Sequence, residues 1–241
     1  MLFIKNKTYQ LFFFQSKKIR NIFLLLLLLP SLSYSQKKLE IIHAGSLKFD
    51  ESLGNGAKRL IGDVQFKHED ALMFCDSAYF YADNSLEAFS KVHIQQNDTI
   101  NLYGDHLKYT GNDRKAVITG NVIMEKGETR LITNALNYDM STSVGAYTTY
   151  ATITNKENEL VSEQGYLYSK INDIFFKKNV VVTRKLKDAK QPEFTIHCDT
   201  MKYNTSSKIT DFFGPTTIKS DENLIYCEDG WYHTERELAR F

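Results

Sequence analysis

The chain has 241 residues, with 30 basic and 29 acidic side chains and a formal net charge of +1. A balance so close to neutral leaves no basic footprint for nucleic acid. Three cysteines, an odd number, make neither a disulfide framework nor a zinc site.

The first 35 residues read as a leader. Basic residues (Lys5, Lys7, Lys17, Lys18, Arg20) precede a short apolar core from Ile22 to Leu29, then Pro30 and the small-x-small run Ser33-Tyr34-Ser35. That order is the one expected of a secretory signal peptide, cleaved after Ser35. A retained membrane anchor is the rival reading, but a span takes about 20 apolar residues and this core is less than half that. Cleavage removes five basic residues and leaves 25 basic against 29 acidic, a net charge of −4. Residues 36–241 then form one β domain, and no cysteine stands at the new N-terminus to take a lipid anchor.

From there one pattern recurs: small or polar, two residues, apolar, one residue, aromatic. The copies are AGSLKF (44–49), CDSAYF (75–80), GDHLKY (104–109), TNALNY (133–138), EQGYLY (163–168), CDTMKY (198–203) and CEDGWY (227–232). Their aromatics are spaced by 31, 29, 29, 30, 35 and 29 residues. Between them falls a second pattern: GDVQF (62–66), SKVHI (90–94), GNVIM (120–124), KNVVV (178–182) and GPTTI (214–218), degraded to YATIT at 150–154. Both alternate with period two, the mark of strands packed on one side. Turn formers lie between them, as at Ala82-Asp83-Asn84-Ser85 and Thr110-Gly111-Asn112-Asp113. No helical period is evident.

The expectation is an all-β repeat fold, with about seven rungs of two strands and two turns each. One sheet would come from each strand type, the two facing across an apolar interior. A single unit cannot bury its apolar face, but stacked units can. Copies paired at about 4.8 Å would give a stack of roughly 30 Å. The 35-residue spacing places an insertion near the basic run 184–190, read as a solvated loop or, alternatively, a contact for lipid phosphates. By strand parity the inward residues are Leu47, Phe49, Val64, Phe66, Ala78, Phe80, Val92, Ile94, Leu107, Tyr109, Val122, Met124, Leu136 and Tyr138. Periodicity alone allows these to fill a closed core or to line an open groove.

Three features invite other readings. Asp76, Asp105, Asn134, Gln164, Asp199 and Glu228 form a column that could serve acid–base chemistry or calcium. Amides interrupt it, however, and it follows the repeat as positions where a strand bends would. The six histidines share no metal-ligand spacing. Cys75, Cys198 and Cys227 all begin the aromatic motif; Cys198 and Cys227, in successive copies, are either small buried fillers or a possible disulfide pair.

AVITGNVIMEKGETRLITNALNYD (116–139), with its Gly120-Asn121-Val122 core between alternating strands, resembles the repeat of the OstA-like (organic-solvent-tolerance) family. The resemblance covers nearly all of 36–241, although only Gly62–Phe66 and Gly120–Met124 come close to the ideal pattern. It implies an open β-jellyroll in the periplasm that holds acyl chains of lipopolysaccharide or a related lipid between its walls. It also implies head-to-tail docking with other jellyroll domains or with itself, and it brings no catalytic residue, metal or cofactor. The fourteen inward residues then become groove candidates rather than core. Leu224, Ile225 and Tyr226, on the last strand, become docking-edge candidates. The rival classes are a structural or adhesive β-solenoid with a filled core, and a glycan-active β-helix enzyme.

Overall fold

The computed structural model describes residues 39–49, 56–96, 99–155, 158–184, 195–220, 223–233, 235–236 and 238–241. The leader read over 1–35, and all of the basic insertion except Arg184, lie outside the described residues. The described part of 37–241 is all-β, a single antiparallel sheet of 17 strands. In chain order these are β1 (Glu40–His43), β2 (Ser46–Phe49), β3 (Lys58–His68), β4 (Ala71–Phe80), β5 (Leu86–Gln96), β6 (Ile100–Thr110), β7 (Lys115–Lys126) and β8 (Thr129–Asp139). Then follow β9 (Val144–Tyr147), β10 (Ala151–Thr154), β11 (Asn158–Ser162), β12 (Gln164–Tyr168), β13 (Asp173–Arg184), β14 (Thr195–Asn204), β15 (Ile209–Lys219), β16 (Leu224–His233) and β17 (Leu238–Arg240).

The sheet is a meander in which each rung, a long strand or two short ones, pairs with the next. Tight two-residue links such as Glu69-Asp70 and Gly127-Glu128 reverse the chain, each opening on a residue at positive φ. The short strands β1 and β2 share β3 as a partner and act as one rung. In the same way β9 with β10, and β11 with β12, each make one rung between β8 and β13.

Every long strand is kinked near its middle. Val64 pairs with Cys75 and Ile61 with Ser77, so Gly62 and Asp63 together oppose the single residue Asp76. The two-against-one bulge recurs at Ser90-Lys91, Gly120-Asn121 and Lys178-Asn179, and the same register shift falls at Gly214-Pro215. At the four two-residue sites both residues are left-handed, for example φ 76° and 47° at Gly120 and Asn121. This conformation favours glycine and is tolerated by asparagine and aspartate, which explains the G-D-V and G-N-V signatures in physical terms. A bulge bends its strand and adds twist. Repeated in register, the bends fold one sheet into two facing walls.

This corrects the expected two-sheet arrangement. The aromatic motifs do line one wall and the G-x-V motifs the other, but each wall also takes half of every neighbouring strand. Successive copies of a motif do not pair; an intervening strand separates them. With the three split rungs counted once and β17 left aside, thirteen rungs stack at about 4.8 Å, giving roughly 60 Å rather than 30 Å.

A second correction concerns the fifth copy. Leu167 pairs with Ile174, the seat that Tyr203 takes from β14, while Tyr168 pairs one residue further on, with Asp173. A slip of one residue exchanges faces. Tyr168 is accordingly on the exposed side, and Glu163 rather than Gln164 stands at the kink, its N–H donating to the Lys178 carbonyl.

Two apolar clusters fill the space nearest the kinks. One holds Leu60, Val64, Phe66, Ala78, Leu86, Ala88, Val92, Leu107, Ile118 and Val122 from β3–β7. The other holds Leu131, Tyr147, Phe176, Val180, Ile196, Met201, Phe212 and Ile218 from β8–β15. Each fully buried Leu, Ile or Phe contributes roughly 1.5–3 kcal/mol over an exposed one.

Candidate functional site

The interior between the walls is the candidate site. Of the residues expected there, Val64, Phe66, Ala78, Val92, Leu107, Tyr109 and Val122 are buried. Phe80, Ile94, Met124 and Leu136 are partly buried and pack against the clusters. Three are exposed: Leu47 and Phe49, on the first rung, and Tyr138, at 37%. Leu47 still pairs opposite the buried Leu60, so it faces inward, but among the described residues no strand covers the outer side of its rung.

The interior is not uniform along the stack. Over β3–β6 the walls touch: the Phe66 and Phe80 rings, from opposite walls, lie 6.0 Å apart, and His68 meets Tyr109 at 5.9 Å. In that part the walls are packed against each other. Beyond these contacts the cover is incomplete: Phe80, Ile94 and Leu102 on β4–β6, and Met124, Leu136, Ile153, Leu160, Ile174, Val182, Tyr203 and Tyr232 from β7 onward, pack on the clusters yet keep solvent contact, while Leu131, Ile196 and Ile218 between them are buried. Ile153, Val182, Tyr203 and Tyr232 stand in motif copies beyond Tyr138, where the reading by strand parity stopped, and Leu160 and Ile174 precede kinks and lie outside both motifs. The same alternation before the kinks was the available signal.

The middle of the stack, where the second motif is degraded, is held by polar contacts. Thr133 is buried, and its hydroxyl lies 3.1 Å from both the Thr149 and the Tyr150 carbonyl oxygens. Beside it the Tyr147 hydroxyl and the buried Ser162 hydroxyl are 2.6 Å apart. Burial pushes the Tyr147 phenol up to about 12 from 10.0. These groups fix the bend where no left-handed pair is present, and among the described side chains no buried polar atom lacks a partner.

The kinks line up as a ridge. Asp76, Asp105, Glu163, Asp199 and Glu228 stand there, each opposite a bulge, and several are bound to it. Asn121 Nδ2 donates to Asp105 Oδ2 at 2.7 Å, Asn179 Nδ2 donates to Glu163, and Lys91 Nζ lies 3.4 Å from Asp76. The column therefore bends the strands. Among the described residues no His, Cys, Asp or Glu group is arranged to hold a metal.

The thiols are free, and the pairing weighed for Cys198 and Cys227 is not formed. Cys198 lies on β14 and Cys227 on β16, with β15 between them. Two strand spacings are about 9.6 Å, beyond the Cα separation of a disulfide. Both cysteines pack as small residues, with Cys198 buried and Cys227 half-buried.

Leu224, Ile225 and Tyr226 are exposed on β16. β15 pairs with one side of β16, while β17 covers the other side only at Trp231–His233. The edge of Leu224–Tyr226 thus stays open among the described residues. So does the outer edge of β1 and β2.

No curated protein matches the sequence. Among solved structures, LptH of Pseudomonas aeruginosa, described as the LptA-homologous periplasmic component of a lipopolysaccharide transport device, aligns at 15% identity over 58% of this chain and 80% of its own, with a TM-score of 0.30. Residues 36–191 match the sequence model of the OstA-like proteins, and the kinked repeat runs on past that match through β14–β16. With about two thirds of its length matched, the chain belongs to the OstA-like protein family.

Proposed function

We propose that the protein is a non-enzymatic carrier that shields the acyl chains of lipopolysaccharide, or a related amphiphile, during outer-membrane assembly in the periplasm. The observation that carries this reading is the row of half-covered apolar side chains beyond the buried clusters, from Phe80 and Ile94 to Tyr203 and Tyr232, between walls that are closed near the kinks. An acyl chain of a dozen carbons left in water costs on the order of 10 kcal/mol, at about 0.8 per methylene. A continuous apolar trough offsets that cost. Family membership and a leader that would direct export support the same assignment.

In this reading the trough runs mainly over β7–β16, because over β3–β6 the Phe66–Phe80 and His68–Tyr109 ring contacts fill much of the space between the walls. That filled portion is the one feature favouring the alternative, a purely structural solenoid. Docking is assigned to the open edges, Leu224–Tyr226 at one end and β1 with β2 at the other. Unpaired strands recruit further strands, so the partner is a second copy or a related jellyroll domain.

The test is photo-crosslinking in cells at Leu160 and Tyr203, which face the trough, and at Lys108, which faces away. Lipid adducts at the first two positions and none at Lys108 are expected, with lipid recovered by extraction and identified by mass spectrometry. Equal labelling at all three would sink the carrier reading.

A further inference from the structure

The outer face of the wall that carries Val64, Val92 and Val122 holds a feature that the trough does not use. Phe74, His93 and Tyr103 are cross-strand neighbours on β4, β5 and β6, and they face away from the interior. Their rings stack in sequence: Phe74 on His93 at 5.5 Å with 23° between planes, and His93 on Tyr103 at 4.5 Å with 9°. Asn101 holds the His93 ring through Nε2 at 2.9 Å. Between this ladder and the kink ridge lie two adjoining open clefts of about 610 and 430 Å³.

The second cleft is the first one advanced by a repeat. Where the first has Phe74 and Asp76, the second has Tyr103 and Asp105, each 29 residues further on. Lys91, which lies by Asp76, is replaced by Asn121, which donates to Asp105. Lys91 lines both clefts, joining them. Each cleft thus offers an aromatic face, a carboxylate acceptor and an N–H donor in the same arrangement, one repeat apart. Two strands separate the sites, about 9.6 Å.

We propose that these paired clefts bind a linear, uncharged saccharide chain, two of its units seated one repeat apart. Aromatic faces pack against the C–H faces of sugar rings, and an acid with a neighbouring amide or ammonium pairs with hydroxyls as acceptor and donor. Asp63, Asp76 and Asp105 outnumber Lys91 as fixed charges, which disfavours phosphate or carboxylate on the ligand. The repetition of the site calls for a repeating ligand. This inference is independent of the lipid reading, since its residues lie on the opposite face of the wall.

The test uses delipidated protein and three lipid-free probes, maltohexaose, cellohexaose and chitohexaose, by titration calorimetry. Binding of at least one is expected, weakened about tenfold in Tyr103→Ala and Phe74→Ala and changed less than about twofold in Tyr103→Phe. Tyr103 is exposed enough for Tyr103→Ala to fold, which circular dichroism checks, and Asp105→Leu supplies a second weakening variant. Inorganic phosphate should not compete. Failure of all three probes to bind, equal affinity in Tyr103→Ala, or competition by phosphate would each overturn the proposal. None of these outcomes bears on lipid crosslinking at Leu160 and Tyr203.

Discussion

Gly165 on β12 pairs with Tyr147 on β9, and the Tyr147 ring fills the volume that a side chain at 165 would need. Neither residue is exchangeable alone. Gly165→Ala drives a methyl group into the ring and should cost about 1–3 kcal/mol through overpacking. Tyr147→Phe keeps the packing but strips the Ser162 hydroxyl of its short partner, for a loss of about 1 kcal/mol. Urea unfolding at neutral pH reads both, and a Gly165→Ala variant as stable as the parent would contradict this packing.

The kinks make a second prediction. Gly120 sits at φ 76°, and a β-carbon there would press on the Asp105 side chain. Gly120→Val combines a left-handed β-branched residue with a clash, and should destabilise by roughly 2 kcal/mol or more. Asn121→Ala removes only the hydrogen bond to Asp105 and should cost about 1 kcal/mol. If the two variants unfold at the same urea concentration, the left-handed pair is not what shapes the wall.

Stability should fall on the alkaline side. Burial, with the nearby Asp199 charge adding to it, pushes the Cys198 thiol up to about 12 from 9.0. Burial likewise raises Cys75 to about 11, helped by Asp76, and Tyr147 to about 12. The folded chain holds these protons where the unfolded chain releases them. The stabilisation is therefore complete below about pH 9 and is lost as the pH rises through 9 to 12. Melting temperatures from pH 8 to 11 test this. Cys198→Ala should flatten the slope whatever it does to the neutral-pH value, and an unchanged slope would assign the loss to other groups.

The three thiols give a chemical check. Because β15 separates Cys198 from Cys227, reduction should leave the intact mass of purified protein unchanged. In the native state Cys227 should react first with a thiol reagent, and Cys75 and Cys198 only on unfolding, since both are buried. A reducible Cys198–Cys227 link would require β15 to leave its place.

Much of this architecture could be read from residue order, and the unread parts have identifiable causes. The aromatic and G-x-V motifs mark the two walls because alternation survives on each side of a kink, as Val64/Phe66 and Leu107/Tyr109 illustrate. The kinks themselves were hidden. Gly120-Asn121 looks like a turn, but Ser90-Lys91 and Lys178-Asn179 adopt the same left-handed pair with no glycine to announce it. Without the kinks, a strand pairing with its neighbour in the chain cannot be told from a copy pairing with the next copy, and the stack length was halved. The fifth motif slipped because EQGYLY offers an aromatic at Tyr168, one residue past the true seat at Leu167. The small Ser162 before Glu163 and the regular 29-residue step from Tyr138 to Leu167 were the signals for the correct phase. Nothing in the order of residues tells which inward side chains are covered and which keep solvent contact, since that depends on how far apart the walls stand.

The meander carries one more implication. Among the described residues each rung bonds only to the rungs before and after it in the chain, so no long-range closure there fixes how many there are. One additional pair of strands lengthens the molecule by about 9.6 Å and leaves every existing pairing as it was. Reach is thus a matter of copy number, open to change by duplication or loss between one hairpin turn and the turn two strands later. The same locality lets folding start at any hairpin and spread in both directions, so a lengthened chain meets no new topological obstacle.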